Sequence, residues 1–290
     1  SSNNAWKDGE DYFTVGDNNV TGYQKLPGYL RENQTEIPAS ILDIPVKKII
    51  GNIGFDIKNL KIPGSIEEIS GKAFSANNVQ RFVVNQENTH YKSDEKGVIF
   101  DYNKTTLIAY PAGNSRSSYT VPGGVETIGT CAFGKSTNLT SVTLASTVKT
   151  IEESAFNGLT YLNSFDTKNV TTIGKSAFLE SGISSISIGK VVSIETLAFQ
   201  NCKNLTSITI PSSVKTIGAQ VFYGCTSLTT VTINENPGLT TIPNNAFANC
   251  EKLENITLPE GIVTIGSGAF NPSGLGHITL PTTASNVHEN

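Results

Sequence analysis

A nine-residue pattern, V-x-x-I-x-x-x-A-F, returns again and again along the chain and confines it to a repetitive fold. It occurs at Ile66-Ile69-Ala73-Phe74, Val125-Ile128-Ala132-Phe133, Val148-Ile151-Ala155-Phe156, Val170-Ile173-Ala177-Phe178 and Val191-Ile194-Ala198-Phe199. It continues at Val214-Ile217-Val221-Phe222, Leu239-Ile242-Ala246-Phe247 and Ile262-Ile265-Ala269-Phe270. From Phe133 the phenylalanines stand 23, 22, 21, 23, 25 and 23 residues apart. A second apolar block, L-x-x-[VI]-x-[LI], opens five or six residues after each Phe, as in Leu139-Val142-Leu144, Leu205-Ile208-Ile210-Pro211 and Leu253-Ile256-Leu258-Pro259. Self-similarity at such a period marks units that stack because none can bury its own apolar edge.

The chemistry of one unit follows from the spacing. In Leu205 to Ile210, Ile208 and Ile210 alternate with polar residues, which predicts a strand with one buried face. Pro211 ends the ladder, since proline has no N–H to donate. Val214 and Ile217 turn the chain back, and Ala219 to Phe222 predicts a short 3-10 or single helical turn with Phe222 inside. The expected fold is a mainly-β solenoid of right-handed coils of about 23 residues, with a parallel sheet on one face. Some ten coils at about 4.8 Å each would stack to roughly 50 Å.

Irregularities divide the chain. Residues 1–45 read as a tail with a capping hairpin, Tyr12 to Tyr23 around Asp17-Asn18-Asn19. Residues 46–85 carry the first repeats, where Val46, Ile50, Phe55, Leu60 and Ile62 form a looser copy, one residue out of step. Phe74 and Phe133 are 59 apart, so residues 86–120 read as an insertion of about 36 holding an aromatic β-hairpin. Residues 121–281 are the regular repeats and 282–290 a tail without an obvious cap, all in one continuous solenoid domain. That tail either folds over the open edge or is followed by further chain.

Together these residues resemble the BspA-like leucine-rich-repeat family of bacterial cell-surface proteins. The V-x-x-I-[GE]-x-x-A-F units carry the likeness, with the Phe-x-x-Cys-x-x-Leu steps at Phe199, Phe222 and Phe247. Asn88-Thr89-His90-Tyr91 through Gly97 to Phe100 and on to Tyr110-Pro111-Ala112-Gly113 adds to it. The resemblance spans roughly residues 10–281. It implies a secreted or surface-anchored protein, extracellular, that recognises host matrix or another cell surface, with no shared catalytic residues. A secretion signal or lipid anchor is expected ahead of Ser1.

Known catalytic and cofactor patterns are missing from the sequence. His90, His277 and His288 are far apart and form no zinc-binding spacing, and no P-loop, dinucleotide fingerprint or G-x-S-x-G elbow occurs. The adjacent carboxylates Glu67-Glu68 and Glu152-Glu153 fall at turns and read as solvated residues. No catalytic residue, metal or cofactor is therefore expected. A net charge of -4 without a basic cluster argues against nucleic acid, and no apolar run is long enough for a transmembrane segment. Cys202, Cys225 and Cys250 each follow a Phe by three and share one interior column, where thiols pack as small hydrophobes.

Two surfaces are candidates for a protein or glycan ligand. If the strands stack in register, their outward side chains form one column of Thr143, Asp166, Ser187, Thr209, Thr232, Thr257 and Thr279. The neighbouring column is Ser141, Ser164, Ser185, Ser207, Thr230, Asn255 and His277. Such a hydroxyl lawn reads as ordinary exposed strand residues, as a broad docking surface on a rigid sheet, or as a match to an ordered lattice, whose regularity Asp166 and His277 spoil. The second candidate is the inserted hairpin with Tyr91, Phe100, Tyr102 and Tyr110, which either forms a contact point or packs back as cladding. The expected function is non-enzymatic recognition or adhesion; the alternative is a structural spacer within a larger surface protein.

Overall fold

The computed structural model describes residues 4–8, 11–16, 19–25, 35–41, 43–51, 53 and 57–289. They form two compact units, one of residues 1–116 with 129–138, the other of residues 117–128 with 139–290. No helix is present among the described residues, and both units are built of stacked coils with parallel strands.

In the second unit the L-x-x-[VI]-x-[LI] block forms the expected strands. Ser118–Thr120 pairs in parallel with Ser141–Thr143, and Ser164–Asp166 with Ser185–Ser187. Ser207–Ile210 pairs with Thr230–Ile233, and the latter with Asn255–Thr257. Each strand turns its central aliphatic or aromatic residue inward, as Val142, Phe165 and Ile208 do, and its hydroxyls outward. The sheet is in three pieces, but backbone bonding in the row just ahead of the strands bridges them. The N–H of Asn163 donates to Thr140 (3.2 Å), that of Ser184 to Asn163 (2.8 Å) and that of Thr206 to Ser184 (3.3 Å).

A second parallel ladder, not foreseen from the sequence, runs through the V-x-x-I segment. Thr127–Ile128, Thr150–Ile151, Thr172–Ile173, Ser193–Ile194 and Thr216–Ile217 pair in strict register. Thr241–Ile242, Thr264–Ile265 and Asn286–Val287 repeat the arrangement. The last of these lies in the supposed tail. Pro281, Ala284 and Val287 take the places of Pro259, Ile262 and Ile265, so the tail is a worn copy of the repeat and docks as one.

The turns differ from the expected 3-10 or helical ones. Cys131, Ser154, Ser176, Leu197, Gln220, Asn245 and Gly268, each three residues past the ladder isoleucine, all have φ between 52° and 63°. Gly158, Glu180, Asn201, Gly224 and Asn249, each two past the phenylalanine, are left-handed as well. Two left-handed residues per coil cannot lie in a right-handed helix. They aim the backbone along the stack instead, so the N–H of Phe178 donates to Ala198 (2.8 Å), that of Phe199 to Val221 (2.9 Å) and that of Phe247 to Ala269 (2.7 Å).

Inside, Phe156, Phe178, Phe199, Phe222, Phe247 and Phe270 form one stack with centroids 5.1–5.5 Å apart and planes within 11° of parallel. Beside it run the buried thiols. Cys202 donates to the carbonyl of Phe178 (3.1 Å), Cys225 to Phe199 (3.1 Å) and Cys250 to Phe222 (3.2 Å). Burial pushes the Cys202 and Cys250 thiols up to about 12, and Cys225 well above its ordinary value for the same reason.

In the first unit Asn59–Ile62 pairs in parallel with Arg81–Val84 and with Thr35–Glu36, and Lys48–Ile49 with Glu68–Ile69. Asn4–Asp8, Asp11–Gly16 and Asn19–Lys25 form an antiparallel meander, and Asn19–Lys25 joins Lys48–Ile49 in parallel. The expected hairpin thus adds a strand to the edge of the first short ladder; its turn residues Asp17 and Asn18, like Phe55, lie outside the described residues. The looser copy keeps step further than expected. Ile49, not Ile50, is buried, and Ile53 makes to Ala73 (2.7 Å) the bond that Phe156 makes to Ala177.

The inserted segment forms the strands Tyr91–Ser93, Ile99–Asp101 and Thr106–Ala109, antiparallel as expected. Its aromatic residues do not all face out. Tyr110 donates its backbone N–H to Ala132 (2.8 Å), the phenylalanine-column bond, and its ring stacks on Phe133 at 5.2 Å. It stands 23 residues before Phe133, one period, so the true insertion is about 13 residues and not 36.

Candidate functional site

The outward columns of the second unit line up as read from the strand pattern. Ser141 lies beside Ser118, Ser185 beside Ser164, and Ser207, Thr230 and Asn255 in one row. The parallel row places Thr143 beside Thr120, Ser187 beside Asp166, and Thr209, Thr232 and Thr257 together. All are exposed except Thr230, which is half-buried. Ser118 and Thr120 were not among the expected residues, although Ser118-Tyr119-Thr120-Val121-Pro122 carries the same alternation and terminal proline.

Neighbours along a column are about 4.8 Å apart and the two columns about 7 Å apart, because outward residues alternate along each strand. Among the described residues, none of the hydroxyls of Ser141, Thr143, Ser185, Ser187, Ser207, Thr209, Thr230, Thr232 and Thr257 bonds to another group of the chain. The row just ahead of the strands is different. Thr140 donates to Ser117, Thr206 to Ser184 and Thr229 to Thr206, and Ser184 to the Asn163 side chain. One row of hydroxyls ties coil to coil; the next two are left facing water.

Asp166 is the one carboxylate in these columns, and it accepts the backbone N–H of Lys168 (2.9 Å), two residues on. His277 and Thr279 depart from the expectation. Both are exposed, but they lie in no strand, and the ladder ends at Asn255–Thr257. Among the described residues no strand pairs with the far side of Asn255–Thr257, so no ladder partner holds His277 and Thr279 in strand geometry.

The hairpin residues separate into two kinds. Phe100 and Tyr110 are fully buried, so they are core, in line with the cladding alternative and not with a contact point. Tyr91 is half-buried, and its hydroxyl accepts the Ile69 N–H (2.9 Å). Only Tyr102 is well exposed, at 44%, with the Lys92 ammonium 3.7 Å from its ring centre. The carboxylates Glu67 and Glu68 meet Lys47 (2.9 Å) and Lys48 (2.8 Å) of the preceding coil. The hydrogen bond from Lys47 holds Glu67 below the usual carboxylate range, the opposite of what a general acid needs. Among the described residues no three His, Cys, Asp or Glu side chains come together as metal ligands, and no helix is long and apolar enough to cross a membrane.

The model of the BspA type leucine rich repeat region matches six copies, over residues 35–97, 112–206 and 171–290. A crystal structure of a leucine-rich repeat protein from Eubacterium ventriosum is 30% identical, with a TM-score of 0.74, covering 87% of this chain and 67% of that one. The leucine rich repeat protein of T. pallidum is 24% identical, with a TM-score of 0.52, over 63% of this chain and 85% of that one, a likeness of fold alone. No curated protein sequence matches.

Proposed function

The chain belongs to the BspA-type leucine-rich-repeat family, and from that premise we propose that it is a non-enzymatic recognition module. It acts at the cell surface or after secretion, and docks a protein or glycan ligand on the hydroxyl-bearing sheet of its second unit. One observation carries the reading: Ser141, Ser207, Thr209, Thr232, Thr257 and their column neighbours hold uncommitted hydroxyls in register along the parallel strands of each sheet piece. Every such hydroxyl can donate and accept, and little side-chain entropy is lost when short residues on a fixed backbone are covered. Near-absence of charge suits a neutral polar partner and makes binding only weakly dependent on salt.

The test is an array of extracellular matrix proteins and glycans probed with the intact chain and with Thr209→Lys/Thr232→Lys. Attachment that the double substitution abolishes supports the sheet. Attachment that it leaves intact removes the sheet from the reading. If the intact chain attaches to nothing, the protein is a spacer that holds another domain away from the cell. Deleting the hairpin is a poor alternative test, since Phe100 and Tyr110 belong to the core of the first unit.

A further inference from the structure

Two coils of the second unit are one residue short between the phenylalanine and the next apolar block: Phe178 to Ile183 and Phe270 to Leu275 span five positions where the others span six. At both the chain cuts the corner through glycine. The N–H of Gly182 donates to Leu159 (2.9 Å) and that of Gly274 to Cys250 (3.3 Å), the same position of the preceding coil. A Cβ at Gly182 would lie 2.0 Å from the Thr160 carbonyl oxygen, and one at Gly274 2.6 Å from that of Glu251, so neither site tolerates a side chain. The consequence outside is a gap. Where neighbouring coils present two exposed residues, Thr160-Tyr161 on one side and Lys203-Asn204 on the other, the short coil presents only Gly182.

That gap is a depression of about 300 Å³ with Gly182 at its floor, Thr160 on one wall, Lys203 and Asn204 on the other, and Glu180, Ser181 and Asn201 completing it. Its walls belong to coils two apart, a span of about 10 Å. The Asn204 amide donates to the Gly182 carbonyl (3.3 Å), which leaves its oxygen for a ligand. Tyr161, the residue after Thr160, is 68% exposed, more than any other large hydrophobic side chain among the described residues. The recess is lined by polar residues and Gly182 alone, and the exposed Tyr161 ring is carried by the residue next to its wall residue Thr160. Ammonium and hydroxyl donors with an amide acceptor, one residue from an aromatic ring kept in water, are the chemistry that a sugar satisfies, C–H groups against the ring and hydroxyls to both kinds of partner. The comparable gap at Gly274, lined by Phe270, Asn271, Pro272, Ser273, Leu275, His277 and Ile278, has no such charged pair, and its phenylalanine is buried.

We propose that the gap at Gly182 is a subsite for a single pyranose unit of a glycan, with Tyr161 as its stacking platform and Lys203, Asn204 and Glu180 as its polar contacts. It stands apart from the sheet reading and does not depend on it. The recess is near the lower size limit of ligand pockets, so binding is weak, in the millimolar range, and useful when repeated along a polymer. Saturation-transfer NMR on the whole chain, with the methyl glycosides of glucose, galactose, mannose and N-acetylglucosamine, tests it. At least one glycoside receives saturation, and Tyr161→Ala and Lys203→Ala each weaken it about tenfold without moving the melting temperature. Thr209→Lys, on the sheet, leaves this binding as it was while testing the other reading. Silence from all four glycosides, or binding that survives both Tyr161→Ala and Lys203→Ala, overturns the subsite.

Discussion

The Asn88 side chain is buried and spends its whole hydrogen-bonding capacity on backbone. Its amide donates to Pro63 (3.0 Å) and Ile66 (2.9 Å), and its oxygen accepts from His90 (2.8 Å) and Tyr91 (2.7 Å). Alanine there strands three backbone groups, the Ile66 carbonyl and the N–H groups of His90 and Tyr91, while the Pro63 carbonyl keeps the Ile66 N–H (3.4 Å). Asn88→Ala should therefore cost about 3 kcal/mol in urea unfolding, and a loss below about 0.5 kcal/mol would refute this account of the loop. The thiol column gives a second prediction. An unfolded cysteine ionises near its ordinary value of 9.0, whereas folded Cys202 and Cys250, kept from water by burial, hold the proton to about 12. Above pH 9 the unfolded chain binds fewer protons than the folded one, so stability present below that pH falls as pH rises through 12, by about 1.4 kcal/mol per unit for each thiol. Burial also raises Tyr91 and Tyr110, in the same direction. The test is therefore the difference in slope between the natural chain and Cys202→Ala/Cys225→Ala/Cys250→Ala; equal slopes would exclude the thiols. At this scale the thiol column was legible because a fixed offset from Phe marks a fixed place in the coil. Tyr110 was not, because Leu107 to Tyr110 shortens the motif, and it is the bond to Ala132 and the stacking on Phe133 that show which column it fills.

Turns are the element in which this fold departs furthest from its sequence pattern. Residue pairs such as Thr216-Ile217 form strands too short to show an alternation of period two, so the second ladder leaves no periodic trace beyond the motif itself. The left-handed columns are equally silent, since Ser, Leu, Gln, Asn and Gly all occupy the same slot. The stack enforces that geometry through the backbone bonds it closes, against a local cost of about 1–2 kcal/mol for a residue other than glycine. Two substitutions of opposite sign follow. Leu197 (φ 63°) is the bulkiest residue in its column, and Leu197→Asn, the residue type already at Asn245, should raise the melting temperature by about 2 °C. Gly224 (φ 73°) has Asn201 Oδ1 at 2.2 Å from where its Cβ would stand, so Gly224→Ala should lower stability by about 1–2 kcal/mol. Thermal melts of the two variants decide it, and a shift of the same sign in both would show that φ is not what limits these positions.

For the molecule as a whole, stacking coils is what the motif could announce; what the coils bind was never encoded in it. The repeat letters are the inward residues, chosen for burial, while the outward positions vary under no such rule. The hydroxyl columns could be aligned from the sequence, but the gap at Gly182 needs the knowledge that a coil one residue short opens a recess between its neighbours. The same stacking principle sets how the second unit comes apart. Each coil is held by the bonds to its two neighbours, so stability propagates as a chain of nearest-neighbour terms and is least where a coil has one neighbour. Among the described residues, Asn286–Val287 pairs on one side only, through Asn286 to Val263 (3.1 Å) and His288 to Ile265 (3.0 Å). Lys215 and Gly218 make the same kinds of bond, to Val192 (2.8 Å) and Ile194 (2.8 Å), with coils packed on both sides. Native-state hydrogen exchange should therefore find Asn286 and His288 at least tenfold less protected than Lys215 and Gly218, a difference of about 1.4 kcal/mol in opening free energy. Removing residues 282–290 should pass that fast exchange to Val263 and Gly266, which then stand at the edge, and leave Lys215 and Gly218 as they were. If the truncation loosened every amide of the unit equally, the coils would be opening as one cooperative body, and the nearest-neighbour picture would have to be abandoned.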